Sequence, residues 1–481
     1  MKIIKMKMLF VIFLFLCFNS TIINAQVTLV SEIKVSESAL YFDGEQQRKS
    51  ENAVNRQDGK YDFAFGRRIT PHGDCIKKHG DYLFLTWYKG GKENRQVMLT
   101  RHNLATNTSV TIEFPHRHTG FHNQYFIGES HNTIAVGICP IDETIHLLYD
   151  MHSYSPARPR DGSLANDYFR YSVSKKNVAT LPDDEFTLDK FYPKRLYLKE
   201  GENYKSLTYP TFFVDTEDNL FVKMREGGHT NGKFMLAKYD GNGWSEWSDF
   251  NVLNARNYPE MEHNWGLYGS FNYLNDKFHI GFAIRNSKVD KYVHNNGIYY
   301  AWSIDPVSNP VWFNMNGEPL EIPLIDPSPA FISEPGDEVP SDGDRSVNMT
   351  GGRSWTITER GDIHFVQDNV RGANNTNVNV HTYKKAGDSE FTVTTDFPGG
   401  TIERIGNNIY IIGLNQSGRP YIKAAEGGTN NWNVLYEATS GRAFHHGNVH
   451  IAGGKIFFYL MEKGSGNAQP IYVQVYDLNI P

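Results

Sequence analysis

Apolar residues along this chain gather in short runs bounded by Gly, Asn and Asp, and the helical period of 3.6 persists over no useful length. One pattern recurs instead: a polar turn, an apolar strand, a polar loop, and a second strand rich in Tyr or Val. Seven copies are present. They begin near Asp81 (DYLFLTWYKG, then QVMLTRHNL), Thr144 (TIHLLYDMHS, then YFRYSVS), Asn219 (NLFVKMREGG, then KFMLAKYDG), Lys277, Asp362, Asn408 and Lys455. Several copies are followed by a Trp, as at Trp244, Trp247, Trp312 and Trp432. A period of about 45 residues or more marks a propeller or solenoid. It suits four-stranded blades packed against their neighbours. The pattern therefore predicts an all-β fold, a seven-bladed β-propeller occupying residues 26–481 as a single domain. The early copies carry long insertions, which such rings place on the binding face. The Pro-rich stretch 322–340 reads as a long surface loop within the ring. A β-sandwich with an accessory domain is the alternative architecture.

The first 25 residues stand apart. Lys2, Lys5 and Lys7 precede an almost wholly apolar run from Met8 to Phe18, and Ala25 offers a small residue for cleavage. This predicts a signal peptide, hence a secreted or periplasmic protein, since the run is too short to span a bilayer. No other segment reads as a membrane span. A net charge of -6 over 481 residues argues against a nucleic-acid partner. Beyond the leader only Cys75 and Cys139 remain, and the sequence leaves open whether they pair. A monomer is the default.

Candidate chemistry concentrates in three segments. ESHNTIAVGICPIDETIHLLYDMHS reads as strand, turn, strand with His131 and His152 at its ends; SLTYPTFF carries Tyr209; FVKMREGG carries Arg225. Each residue has an ordinary structural reading: a turn cap, a solvated histidine, a core tyrosine, a surface ion pair. Their positions argue for more. If the apolar strand opening each repeat lines the central channel, His152, Arg225 and Arg285 occupy equivalent places in consecutive blades. They would then cluster at one mouth of the channel, with His131 and Tyr209 feeding the same face. Cationic groups converging on a channel mouth predict an anionic ligand. Tyrosine, histidines and arginine together suit removal of a proton next to a carboxylate.

These segments, with HNNGIYYAW, resemble the BNR-repeat propellers of polysaccharide lyase families 24 and 25, the ulvan lyases, over essentially the whole mature chain. The resemblance implies a seven-bladed propeller that cleaves ulvan, an anionic polymer of rhamnose 3-sulfate alternating with uronic acids. It implies β-elimination: a base takes the uronate C5 proton, the C4–O4 bond breaks, and an unsaturated uronyl end remains. The carboxylate must be neutralised for that proton to leave. By the same resemblance His131 is the base and Tyr209 the acid, although one tyrosine serves as both in some such enzymes. His152 and Arg225 hold the carboxylate. Tyr268, Arg285 and Asn132 bind substrate.

The chemistry calls for no cofactor. A structural zinc is known among similar enzymes, but His279, His294, His364, His445, His446 and His450 show no ligand spacing that assigns one. Two rival functions remain. A sialidase-like glycoside hydrolase is suggested by a worn Asp box at Ser303-Ile304-Asp305 with Trp312, but would need paired carboxylates. A non-catalytic sugar-binding propeller would need no proton-transfer set.

Overall fold

The computed structural model describes residues 27–47, 54–152, 167–286, 288–293, 296–348 and 354–480. The expected signal peptide lies outside them. Seven antiparallel sheets form a ring, so the seven-bladed propeller read from the repeats is the fold. Blades 1 to 6 follow in chain order, with Ile76–His79, Ile134–Cys139, Leu207–Val214, Trp265–Leu274, Ser354–Ile357 and Thr401–Ile405 as their innermost strands. Blade 7 starts with Phe444–Ala452, and its outermost strand is Thr28–Leu40, paired antiparallel with Ala468–Asp477. The ring is thus closed by strands from opposite ends of the chain.

The phase of the repeat differs from the expectation. The apolar strand that opens each copy is the second strand of its blade: Thr144–Tyr149, Leu220–Glu226 and Lys277–Asn286 each pair with a preceding strand that lies further in. Apolar character does not separate the two: the innermost strand of blade 2, Ile134–Cys139, is as buried as the strand outside it. The Pro-rich stretch also departs from a plain loop. Within it Phe331–Ser333 pairs with Asn296–Ser303 and extends blade 4.

Each principal hydrophobic cluster straddles two blades. Ala135, Leu148 and Tyr171 of blade 2 pack with Phe212, Val222 and Met235 of blade 3, and Phe234 and Leu236 of blade 3 pack with Leu267 and Phe282 of blade 4. Burial of each such side chain stabilises the ring by roughly 1.5–3 kcal/mol. No blade can bury its faces alone, so the blades hold one another and fix the rim on which the site sits. Both Cys75 and Cys139 are buried free thiols. Among the described residues no helix is long and apolar enough to cross a membrane.

Candidate active site

A cavity of about 960 Å³ occupies the channel, lined by residues on or beside all seven innermost strands. Its wall across blades 2 to 4 carries His131, Thr133, Tyr209, Lys223, Arg225 and Tyr268. Tyr209 lies on the innermost strand of blade 3, where the register slips between Thr208 and Thr211. Its φ of 55° is in the left-handed region. That conformation costs a non-glycine residue about 1–3 kcal/mol and is held here against the further restriction imposed by Pro210. A bulge that re-aims one side chain is the expected local device.

Glu129 organises the site. It follows the short parallel pair of Asp62–Phe63 with Ile127–Gly128 and is 0% exposed. One carboxylate oxygen accepts the His131 backbone N–H at 2.9 Å and lies 3.1 Å from His131 Nδ1, close but not aligned as a hydrogen bond. The other oxygen bonds His152 Nδ1 at 3.0 Å. His152 Nε2 lies 3.1 Å from the Tyr209 hydroxyl. The ring centroids of His131 and His152 are 4.5 Å apart, and that of Tyr209 lies 5.2 Å from His152 and 5.7 Å from His131. Phe65 covers both imidazoles, at 4.9 and 5.7 Å. Behind His152, Asp150 is fixed by His116 Nε2 at 2.7 Å and by Thr119.

The electrostatics select one protonation pattern. Burial alone would raise the Glu129 pKa, yet the neighbouring histidines, His152 foremost, hold it well below the usual carboxylate range. Burial pushes His152 below 6.5, against the pull of Glu129 and with help from His131 and Arg225. An ionised carboxylate and a neutral imidazole satisfy both directions. Nδ1–H of His152 then donates to Glu129, and Nε2 accepts the Tyr209 proton.

Arg225 and Lys223 share one face of the second strand of blade 3, two residues apart. Arg225 is 3% exposed. Its guanidinium donates to the carbonyls of Leu267 (2.9 Å), Gly227 (3.1 Å) and Gly228 (2.6 Å). It lies over the Tyr268 ring at 4.4 Å. A Cβ on Gly232 would overlap it, so only glycine leaves the seat open. Lys223 Nζ bonds the Tyr209 carbonyl at 3.2 Å.

The structure thus brings together His131, His152, Tyr209, Arg225 and Tyr268. Two expected substrate-binding residues lie elsewhere. Asn132 is 1% exposed: it closes a turn, its N–H donating to the Glu129 carbonyl at 3.2 Å, and its amide turns toward the Gly120 carbonyl. Arg285 lines a smaller cavity of about 240 Å³ with His229 and Arg345. Glu129 and Lys223 were not anticipated. The signal for Glu129 was its place two residues before His131; the signal for Lys223 was the alternation in FVKMRE.

Two of the histidines considered for zinc are engaged with other groups. His279 bonds Tyr300 and the Leu274 carbonyl, and His364 bonds His381 and the Gly428 N–H. His294 lies outside the described residues. Among the described residues, Glu129, His131 and His152 offer three ligand atoms within 4.8 Å of one another. A metal there would displace the hydrogen bond by which Glu129 orients His152.

Residues 82–396 match the model of the BNR repeat-containing family. Over 94% of its length the chain is 39% identical to an ulvan lyase, short isoform, of Alteromonas sp. (strain LOR), covering 91% of that protein. The chain belongs to the ulvan lyase family. It is also 43% identical to an ulvan lyase, long isoform, of Glaciecola sp. (strain KUL10). The chain spans about half the length of such long isoforms, 47% in that case. The crystal structure of the polysaccharide lyase Uly1 superimposes with a TM-score of 0.88 at 41% identity, covering 94% of this chain and all of that one.

Proposed function

We propose that this protein is exported and cleaves ulvan by β-elimination at a uronate, leaving an unsaturated uronyl end. The observation that carries the reading is the chain Glu129–His152–Tyr209, with His131 beside it and Arg225 behind, opening into one cavity. The uronate carboxylate must be neutralised before its C5 proton becomes removable. Arg225 and Lys223 supply fixed positive charge whose orientation is set in advance by backbone contacts, the arrangement that costs no reorganisation during reaction. With Nδ1 turned to Glu129, His131 keeps Nε2 as its basic nitrogen, and it takes the C5 proton. The electron pair released forms the C4–C5 double bond and expels O4, which takes the Tyr209 proton. His152, bonded to Tyr209 and packed on His131, stands between them for the return of the proton.

A retaining or inverting hydrolase needs two carboxyl groups facing the scissile bond. Glu129 is enclosed behind both histidines and does not face the cavity, and Asp74, which lines it with Glu359 and Glu403, is engaged by Lys77 and the Phe212 N–H, which weighs against that reading. The test is ultraviolet absorbance during incubation with ulvan. A rising band from the conjugated uronate is expected, and Tyr209→Phe and His131→Ala should abolish most of it while staying folded. New reducing ends without the band would identify a hydrolase. Retention of ulvan with neither signal would leave a binding propeller. Near wild-type rates in both variants would overturn the residue roles.

A further inference from the structure

We propose that a cavity beside Ser130, walled by Arg67, Arg68, His72, His445 and His446, is a second carbohydrate subsite that takes a sulfated sugar of the polymer away from the bond that is cut. The inference rests on the ulvan reading and extends it. The cavity, about 470 Å³, adjoins the catalytic one: His72 lines both, and Ser130 lies between Glu129 and His131 in the chain. A polymer crossing the rim from His131 therefore meets it next.

Four features select the occupant. First, no carboxylate lines the cavity. Arg67 is held by the Phe42 carbonyl and lies over Phe63 at 4.9 Å. Arg68 is exposed and, among the described residues, has no ion-pair partner, so its guanidinium is available to an anion. Second, His445, half-buried, stacks in parallel on the buried Tyr41 at 4.6 Å and 11°, so its ring is held in place as an aromatic surface for a sugar. Third, His446 is 4% exposed, and its Nε2 lies 3.1 Å from the Thr70 carbonyl. A carbonyl only accepts, so Nε2 carries the hydrogen and Nδ1 of the neutral ring is an acceptor. Fourth, that Nδ1 is buried without a partner, a position that calls for a donor from a ligand. A sulfate ion brings charge but no donor. A sulfated sugar brings its charge to Arg68 and a hydroxyl to His446.

The test compares wild type and Arg68→Met on ulvan and on chemically desulfated ulvan. Arg68 is exposed, so the variant should fold. On ulvan KM should rise about tenfold with kcat unchanged, the signature of lost uniform binding. On desulfated ulvan the two proteins should have the same KM. An unchanged KM on ulvan overturns the subsite, and so does a penalty that persists in full on the desulfated polymer. If wild type forms no unsaturated product, the cleavage reading fails. The subsite is then judged by affinity electrophoresis in gels containing ulvan, where Arg68→Met must be retarded less than wild type for it to stand.

Discussion

Replacing Glu129 by glutamine keeps the shape of the side chain and removes its charge. The native carboxylate accepts two N–H groups, from the His131 backbone and from His152 Nδ1, and lies 3.1 Å from His131 Nδ1. An amide has one acceptor oxygen and one donor nitrogen. If the oxygen stays with the His131 backbone, the NH2 meets His152 Nδ1–H, two donors face to face. His152 must then change tautomer, and Nε2 becomes a donor toward Tyr209 instead of the acceptor of its proton. The relay is reversed without a change in shape. Wrong-tautomer substitutions of this kind in Ser-His-Asp enzymes reduce kcat by about 10⁴, and a single acid–base contribution is about 10²–10⁴. We therefore expect kcat on ulvan to fall by about 10²–10⁴ with a small change in KM. Loss of a buried charged hydrogen bond should destabilise the protein by about 1–3 kcal/mol. The pH dependence has a definite sign. Because the folded pKa is depressed, the carboxylate stabilises fully above its ordinary 4.5, and that contribution is lost as pH falls below it. The stability gap between wild type and variant should accordingly narrow below 4.5. The assay is initial-rate ultraviolet absorbance alongside denaturant titration. A folded variant with kcat within about threefold of wild type would show that the carboxylate does not set the tautomer.

Gly232→Ala should push the Arg225 guanidinium off its seat; the expected result is at least about tenfold loss of kcat/KM with the fold intact by circular dichroism, and full activity would contradict the role given to Arg225. Gly137→Ala places a methyl 2.6 Å from Phe212 Cγ between blades 2 and 3, and should cost about 1–3 kcal/mol in denaturant melts; no loss would mean the seam is slack. Burial pushes His146 and His364 down to about 3 and His279 and His381 to about 4, so the unfolded chain binds more protons than the ring once pH drops below 6.5. Each such group then costs about 1.36 kcal/mol per pH unit of acidification until its folded pKa is reached. Melts at a series of pH values should show stability falling steadily from 6.5 toward 4, and a flat profile there would rule this out.

The blade count was legible because each blade repeats one hairpin signature, and hairpins are local. The phase was not. Adjacent antiparallel strands look alike in sequence, and nothing in DETIHLLYDM states whether a further strand lies inside it. His131, Tyr209 and Arg225 could be found as polar residues interrupting apolar strands. Glu129 could not be ranked above other acids, because what keeps it charged is its contact with two histidines 2 and 23 residues further on. Asn132 misled because it closes a turn whose geometry the sequence does not give: its N–H returns to the Glu129 carbonyl and its side chain is buried. Arg285 sits at the place equivalent to Arg225 in the next blade, yet it lines a separate cavity, so equivalence along the chain did not carry over to the site.

The blade built from Thr28–Leu40 and Ala468–Asp477 sets a schedule for the molecule. The first of these strands is synthesised long before its partner exists. At roughly 5–20 residues per second it waits on the order of 20–90 s with an unpaired edge. Throughout that interval the six other blades form an open arc, with an apolar face at each tip ready to pair with another arc. The outermost strand, TLVSEIKVSESAL, interrupts its apolar residues with glutamate, lysine and serine, which makes the waiting segment a poorer partner for anything but its own ring.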